Sequence, residues 1–179
     1  MKGKIITVFG SSQMEAEDPE YQRVLTLGKL LAEAGYQVCN GGYYGAMEAS
    51  SRGAREAGGN AIGITLRSWT KKWCNEWVSQ EDSVLTWKER LFRLIEVADG
   101  YVVCRGGTGT LVELACVWEM IAKGFMILKP IVIMDAFWEK SLVMLTTSPE
   151  IVKLSSAFHI AKQPADAVQI LNKELNGAF

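Results

Sequence analysis

Glu113 closes the run Arg105-Gly106-Gly107-Thr108-Gly109-Thr110-Leu111-Val112-Glu113, and its chemistry depends on what the preceding residues build. The apolar stretch Tyr101 to Val103 reads as a buried strand, the glycines break it, and Leu111 to about Ala122 carries helical periodicity. A glycine turn of this kind lets a ligand approach the backbone closely. The first peptide N–H groups of the following helix lack intrahelical partners, and the helix dipole reinforces them, so the turn suits an anion. Thr108 and Thr110 add hydroxyl donors. Glu113 falls in the first turns of the same helix, where its carboxylate would lie beside the anion. The expected chemistry is a phosphate held at the helix end and a carboxylate acting on whatever the phosphate carries. The competing reading is a connecting loop with a glutamate that merely favours a positive helix end.

The turn matches neither familiar nucleotide loop. Val112 stands where a GxGxxG fingerprint needs glycine, and no GxxxxGK run followed by Ser or Thr exists. His159 is the only histidine, which leaves a Ser-His-Asp triad or a histidine-rich metal site little to work with. Cys39, Cys74, Cys104 and Cys116 show no CxxC pairing and read as free thiols rather than disulfides or zinc ligands. Carboxylates, guanidinium groups and backbone donors remain. No metal or redox cofactor is expected.

The elements that must position these groups alternate along the chain. Ile5 to Phe9 reads as a first strand ending in Gly10-Ser11-Ser12, and Leu25, Leu27, Leu30 and Leu31 mark an amphipathic helix closed near Gly35. Tyr36 to Cys39 is a second strand, followed by the turn Asn40-Gly41-Gly42-Tyr43-Tyr44-Gly45, a small-residue helix from Ala46 to Ala57, and a third strand from Ala61 to Leu66. Val84 to Thr86 reads as a short strand and Trp87 to Val97 as a helix carrying Arg90 and Arg93, which as isolated arginines are surface charges by default. A strand at Ile131 to Met134, a helix at Phe137 to Leu145, a strand at Phe158 to Ile160 and a helix at Ala165 to Leu175 complete the pattern. This order predicts one Rossmann-like domain over residues 1–179, a three-layer α/β/α sandwich with a mostly parallel sheet. Ligands in such sheets bind beyond the strands' carboxyl ends. Ser11-Ser12, the Gly41-Gly42 turn and the Gly106–Gly109 turn all follow strands and can line one crevice.

Trp69, Trp73 and Trp77 recur at helical spacing between Arg67 and Gln80. Such a stripe predicts packing in the core or at a subunit contact ahead of substrate stacking, with Arg67, Lys71 and Lys72 on a solvated face. At 179 residues the chain suits one well-buried domain. A formal net charge of −1 gives no reason to expect a nucleic acid partner. The N-terminus lacks a signal-peptide pattern and no apolar run is long enough to span a bilayer, which predicts a cytoplasmic protein without membrane contact.

Taken together the turns resemble the LOG (lonely guy) family of cytokinin-activating phosphoribohydrolases, many of them labelled as lysine decarboxylases. The family's PGGxGTxxE signature is matched by Arg105 to Glu113 at all but its first position, and its MxxRK element by Trp87-Lys88-Glu89-Arg90-Leu91 at the arginine. Asn40 to Glu48 aligns with its GGGxxGLMG turn, and Ser11-Ser12 with its first-strand GSS. Arg105, Leu91, Asn40 and Glu48 depart from the pattern, which is similar to a divergent branch near the molybdenum-cofactor carrier proteins. The resemblance implies hydrolysis of a nucleoside 5'-monophosphate to free base and ribose 5-phosphate. Glu113 and Arg90 would then be catalytic, and Gly106, Gly107, Thr108, Gly109 and Thr110 would hold the phosphate. Ser12, Gly41 and Gly42 would form the pocket wall. The alternative it implies is a carrier that binds a phosphorylated ligand without turnover. A homodimer or higher homo-oligomer is expected, from the tryptophan-rich segment and from the family.

Overall fold

The computed structural model describes residues 3–69, 73–134, 136–145 and 158–177. Strands β1 (Ile5–Phe9), β2 (Gln37–Asn40), β3 (Ala61–Leu66), β4 (Gln80–Val84), β5 (Gly100–Val103), β6 (Ile131–Ile133) and β7 (Phe158–Ile160) form one sheet in the order β4-β3-β2-β1-β5-β6-β7. Every neighbouring pair is parallel. Such a sheet needs crossovers that cover both faces, and its central strands are accordingly continuous apolar runs. β3 and β5 are buried at every position. The helices α1 (Pro19–Glu33), α2 (Ala46–Glu56), α3 (Trp87–Glu96), α4 (Thr108–Ala122), α5 (Ala136–Leu145) and α6 (Pro164–Asn176) supply the covers. One face packs α1, α2 and α6 through residues such as Leu27, Leu31, Ala49 and Leu171; the other packs α3, α4 and α5 through Leu94, Ile95, Leu114, Val117 and Trp138. The fold is the three-layer Rossmann-like α/β sandwich read from the sequence.

Strand order reverses between β1 and β5, where Val8 lies opposite Val102 and Phe9 opposite Val103. Diverging connections leave a crevice at that switch point. Backbone bonds stitch the loops around it: Ser11 N–H donates to Arg105 O at 2.8 Å, and Ala46 N–H to Ser11 O at 2.8 Å.

Two expectations change. Val84 to Thr86 is not a strand of its own, since the strand is Gln80–Val84 and Thr86 caps α3. Thr86 Oγ1 accepts from Glu89 N–H while the Glu89 carboxylate accepts from Thr86 N–H, a reciprocal capping box. The edge strand Gln-Glu-Asp-Ser-Val lacks an apolar alternation, so its pairing with β3 left no trace in the pattern. The tryptophans also form no helical stripe. Residues 67–69 and 73–79 are turns and extended chain tied at both ends, by Arg67 N–H to Val84 O and by Asn75 N–H to Gly42 O. Trp73 stands 77% exposed, and Trp77 lies against the Arg52 guanidinium. Lys71 and Lys72 lie outside the described residues.

Candidate functional site

Beyond the ends of β1 and β5 lies a cavity of about 310 Å³, within the size range of small-molecule sites. Its lining has two halves. Gly10 to Gln13 and Gly107 to Thr110 form a polar backbone wall, while Tyr43, Met47, Trp69, Trp87, Leu91 and Leu94 form an aromatic and aliphatic one. Arg90 and Glu113 complete the lining and are its only acidic or basic side chains among the described residues.

The polar wall contains the start of α4. Gly107 is its N-cap and contributes no side-chain cap, and the first intrahelical bond at this end is Leu111 N–H to Gly107 O at 3.0 Å. The N–H groups of Thr108, Gly109 and Thr110 therefore point out of the helix end with no partner among the described residues. A Cβ built at Gly107 or Gly109 would meet nothing within 4 Å, so the space above this end is open to a ligand. Gly106 differs. A Cβ there would lie 2.0 Å from Thr110 Oγ1, because the buried Thr110 side chain packs beneath the turn. Gly106 shapes the turn without lining the cavity.

Arg90 is buried, and its place is fixed by acceptors rather than by a carboxylate. Its Nε donates to Ile64 O at 2.7 Å and its Nη2 to Gly41 O at 2.8 Å. The Tyr43 ring lies 5.2 Å from the guanidinium carbon and the Trp69 ring 5.5 Å, both within cation–π range. Burial lowers its pKa from the ordinary arginine value, and the charge of Glu113 opposes that shift. Trp69 thus belongs to the cavity, contrary to the packing role its spacing suggested. Gly41 and Gly42 do not line the cavity. Gly41 makes room for Arg90, since a Cβ there would sit 1.9 Å from Nη2, and Gly42 turns the chain at φ 79°.

The Glu113 carboxyl faces the cavity one turn into α4, half-buried, with no hydrogen-bond or ion-pair partner among the described residues. Desolvation raises its pKa to about 7, against the pull of Arg90. Near neutral pH it is split between its two protonation states. Such perturbation in a cleft marks a candidate functional group.

Ser11 and Ser12 line the cavity, and sequence reasoning missed Gln13, Tyr43, Met47 and Trp87 as lining residues. Gln13 follows Ser12 after β1 and was open to the same argument. Tyr43 and Trp87 gave no periodic signal. Two residues that depart from the glycine-turn pattern have clear tasks. Asn40 is fully buried; its amide donates to Met47 O, Ser50 Oγ and Ser51 Oγ, and its Oδ1 accepts from Gly42 N–H. Glu48 accepts from the Tyr21 hydroxyl at 3.2 Å. Arg105 does not reach the cavity and pairs with Asp18 at 2.7 Å.

The profile of the SLOG cluster 4 family matches residues 3–167. The chain belongs to that family. This SLOG protein is similar to an uncharacterized protein of Archaeoglobus fulgidus, 32% identical over 115 residues that span 64% of this chain and 74% of the relative. Among solved structures it is similar to the molybdenum cofactor binding protein of Rippkaea orientalis, at 25% identity and a TM-score of 0.77, covering 97% of this chain and 98% of the other. The molybdenum cofactor carrier protein of Chlamydomonas reinhardtii shares the fold at 22% identity, with a TM-score of 0.78 over 97% of this chain and 99% of that one. Among the described residues no helix is long and apolar enough to cross a membrane, and no group of three His, Cys, Asp or Glu side chains is placed to hold a metal. Cys39, Cys74, Cys104 and Cys116 form no disulfide, and Cys39 and Cys104 are buried.

Proposed function

We propose that this SLOG protein binds a small molecule made of a phosphate monoester and a flat nitrogen heterocycle, and holds it without consuming it. The divided lining carries this reading: unpartnered N–H groups at the start of α4 suit the phosphate, and the Trp69, Trp87 and Tyr43 rings suit a planar ring system. The molybdenum cofactor and a nucleoside 5'-monophosphate share that chemistry, and two similar structures bind or carry the former. Arg90 favours carriage over catalysis. Two of its three nitrogens are committed to backbone carbonyls, so swinging it toward a leaving base would strand two buried acceptors.

A specific observation favours a second reading, phosphoribohydrolase activity. Glu113 shares the cavity with the phosphate cradle and carries a proton equilibrium near neutrality, the state a general base needs. In that reaction water forms the new bond to the sugar's anomeric carbon, the bond to the base breaks, and the proton released by water ends on the departing base. A carboxylate beside the sugar would stabilise the cationic transition state.

Incubation with AMP, CMP, GMP and isopentenyladenosine monophosphate, with calorimetry for binding and chromatography for free base, separates the readings. Binding without base release supports carriage. Base release that disappears in Glu113→Gln establishes hydrolysis and refutes carriage, and absence of both binding and release refutes the two together.

We also propose self-association of two copies. α4 is apolar around much of its circumference, and Leu111, Val112, Phe125, Ile127 and Leu128 stand exposed along it and the turn that follows. Light scattering that finds a monomer at micromolar concentration would count against this.

A further inference from the structure

The cavity lined by the Tyr43, Trp69 and Trp87 rings also holds the Glu113 carboxyl, whose two oxygens accept from no group among the described residues. Other side chains of that lining offer a ring no comparable acceptor: Met47, Leu91 and Leu94 are apolar, Arg90 is donor-only, and the Tyr43 oxygen already accepts from Leu66 N–H at 2.8 Å. On the polar side of the lining the N–H groups of Thr108, Gly109 and Thr110 suit phosphate oxygens, and the Ser11 and Ser12 hydroxyl oxygens already accept from Gln13. A heterocycle lying among Trp69, Trp87 and Tyr43 would therefore find its hydrogen-bond acceptors at Glu113.

We propose that Glu113 selects the ring, its carboxylate accepting two parallel hydrogen bonds from a ring N–H and the adjacent exocyclic amine. The preferred ligands are then phosphate monoesters bearing the 2-amino-oxo pyrimidine edge common to guanine and pterins, in preference to adenine. This inference rests on the binding reading above and sharpens its ligand class. Guanine offers N1–H and the N2 amine side by side, both donors. Adenine sets an amine beside N1, whose lone pair faces the second carboxylate oxygen, so one bond forms and one repulsion is added. Hypoxanthine retains the ring N–H and lacks the amine. A bidentate pairing of this kind discriminates between bases by about 10- to 100-fold.

The test is calorimetric titration of the full chain at pH 8 with GMP, IMP, AMP and inorganic phosphate, repeated on Glu113→Gln. GMP is expected to bind about 10- to 100-fold more tightly than AMP, with IMP between them, and the ratio to collapse toward one in the variant. Equal affinity for GMP and AMP in the wild type, or a ratio that survives Glu113→Gln, overturns the proposal. Should the variant fail to fold, the wild-type ratio measured from pH 5.5 to 8.5 replaces it. That ratio should rise as Glu113 ionises near pH 7, and a flat profile overturns the proposal. Binding of phosphate with no nucleotide preference refutes ring selection and leaves the cradle standing. Failure of every ligand, phosphate included, refutes the binding reading and this inference with it.

Discussion

Replacing Gly41 with alanine tests whether Arg90 is a fixed part of the cavity. Gly41 has no left-handed φ, so its backbone would accept a side chain, and the alanine should gain about 0.4–1 kcal/mol from a less flexible unfolded chain. The obstacle is steric: the new Cβ would lie 1.9 Å from Arg90 Nη2 and 2.7 Å from Met47 Sδ. Both are ends of flexible side chains and could ordinarily move aside. Arg90 cannot move cheaply, because it is held by Gly41 O, Ile64 O and the rings of Tyr43 and Trp69. Losing one buried hydrogen bond from a charged donor costs about 1.5–3 kcal/mol. The net expectation is destabilisation by about 1–2 kcal/mol. Urea unfolding followed by tryptophan fluorescence measures it, with Gly107→Ala as the comparison, since a Cβ there meets nothing within 4 Å. Because Arg90 holds the Glu113 pKa down, its displacement should also move that titration upward. If Gly41→Ala proved as stable as Gly107→Ala, the pinning of Arg90 would be wrong.

Further expectations concern the same elements. The folded Glu113 pKa of about 7 exceeds the ordinary glutamate value of 4.5, so the unfolded chain ionises first as pH rises, and this group's contribution to stability falls between those values. Relative to wild type, Glu113→Gln should therefore gain about 3 kcal/mol between pH 4.5 and pH 8 in denaturant melts, and a pH-independent difference would contradict the desolvated carboxyl. Thr108→Pro keeps a residue type tolerated at the first helical position while deleting one N–H of the cradle. It should weaken phosphate binding by about tenfold in calorimetry with a thermal midpoint shifted only slightly, and unchanged affinity would move the anion elsewhere. Asp18→Ala loses both the N-cap bond to Glu20 N–H and the pairing with Arg105, and should cost about 1–2 kcal/mol, against less than about 1 kcal/mol for Arg105→Ala. Equal losses in the two variants would show that the cap contributes nothing.

The sequence by itself determined the layered fold, the parallel strands with buried runs at Ala61–Leu66 and Gly100–Val103, and the glycine turn that frees the N–H groups of Thr108 to Thr110. These follow from local rules: apolar periodicity, glycine placement and the unpaired donors of a helix start all lie within a few residues of each other. Only the tertiary structure decided what surrounds that turn. Trp69 carried the spacing of a packing stripe and instead covers Arg90, because the crossover between β3 and β4 is tied to Val84 O and Gly42 O. Arg90 carried the pattern of a surface charge, yet residues distant in sequence supply the carbonyls that bury it. The proton affinity of Glu113 was likewise invisible, since it depends on how much water the neighbouring walls exclude and on a guanidinium delivered from another helix. Short-range order is encoded residue by residue, whereas desolvation and charge coupling are properties of a cavity that exists only once the strands have paired.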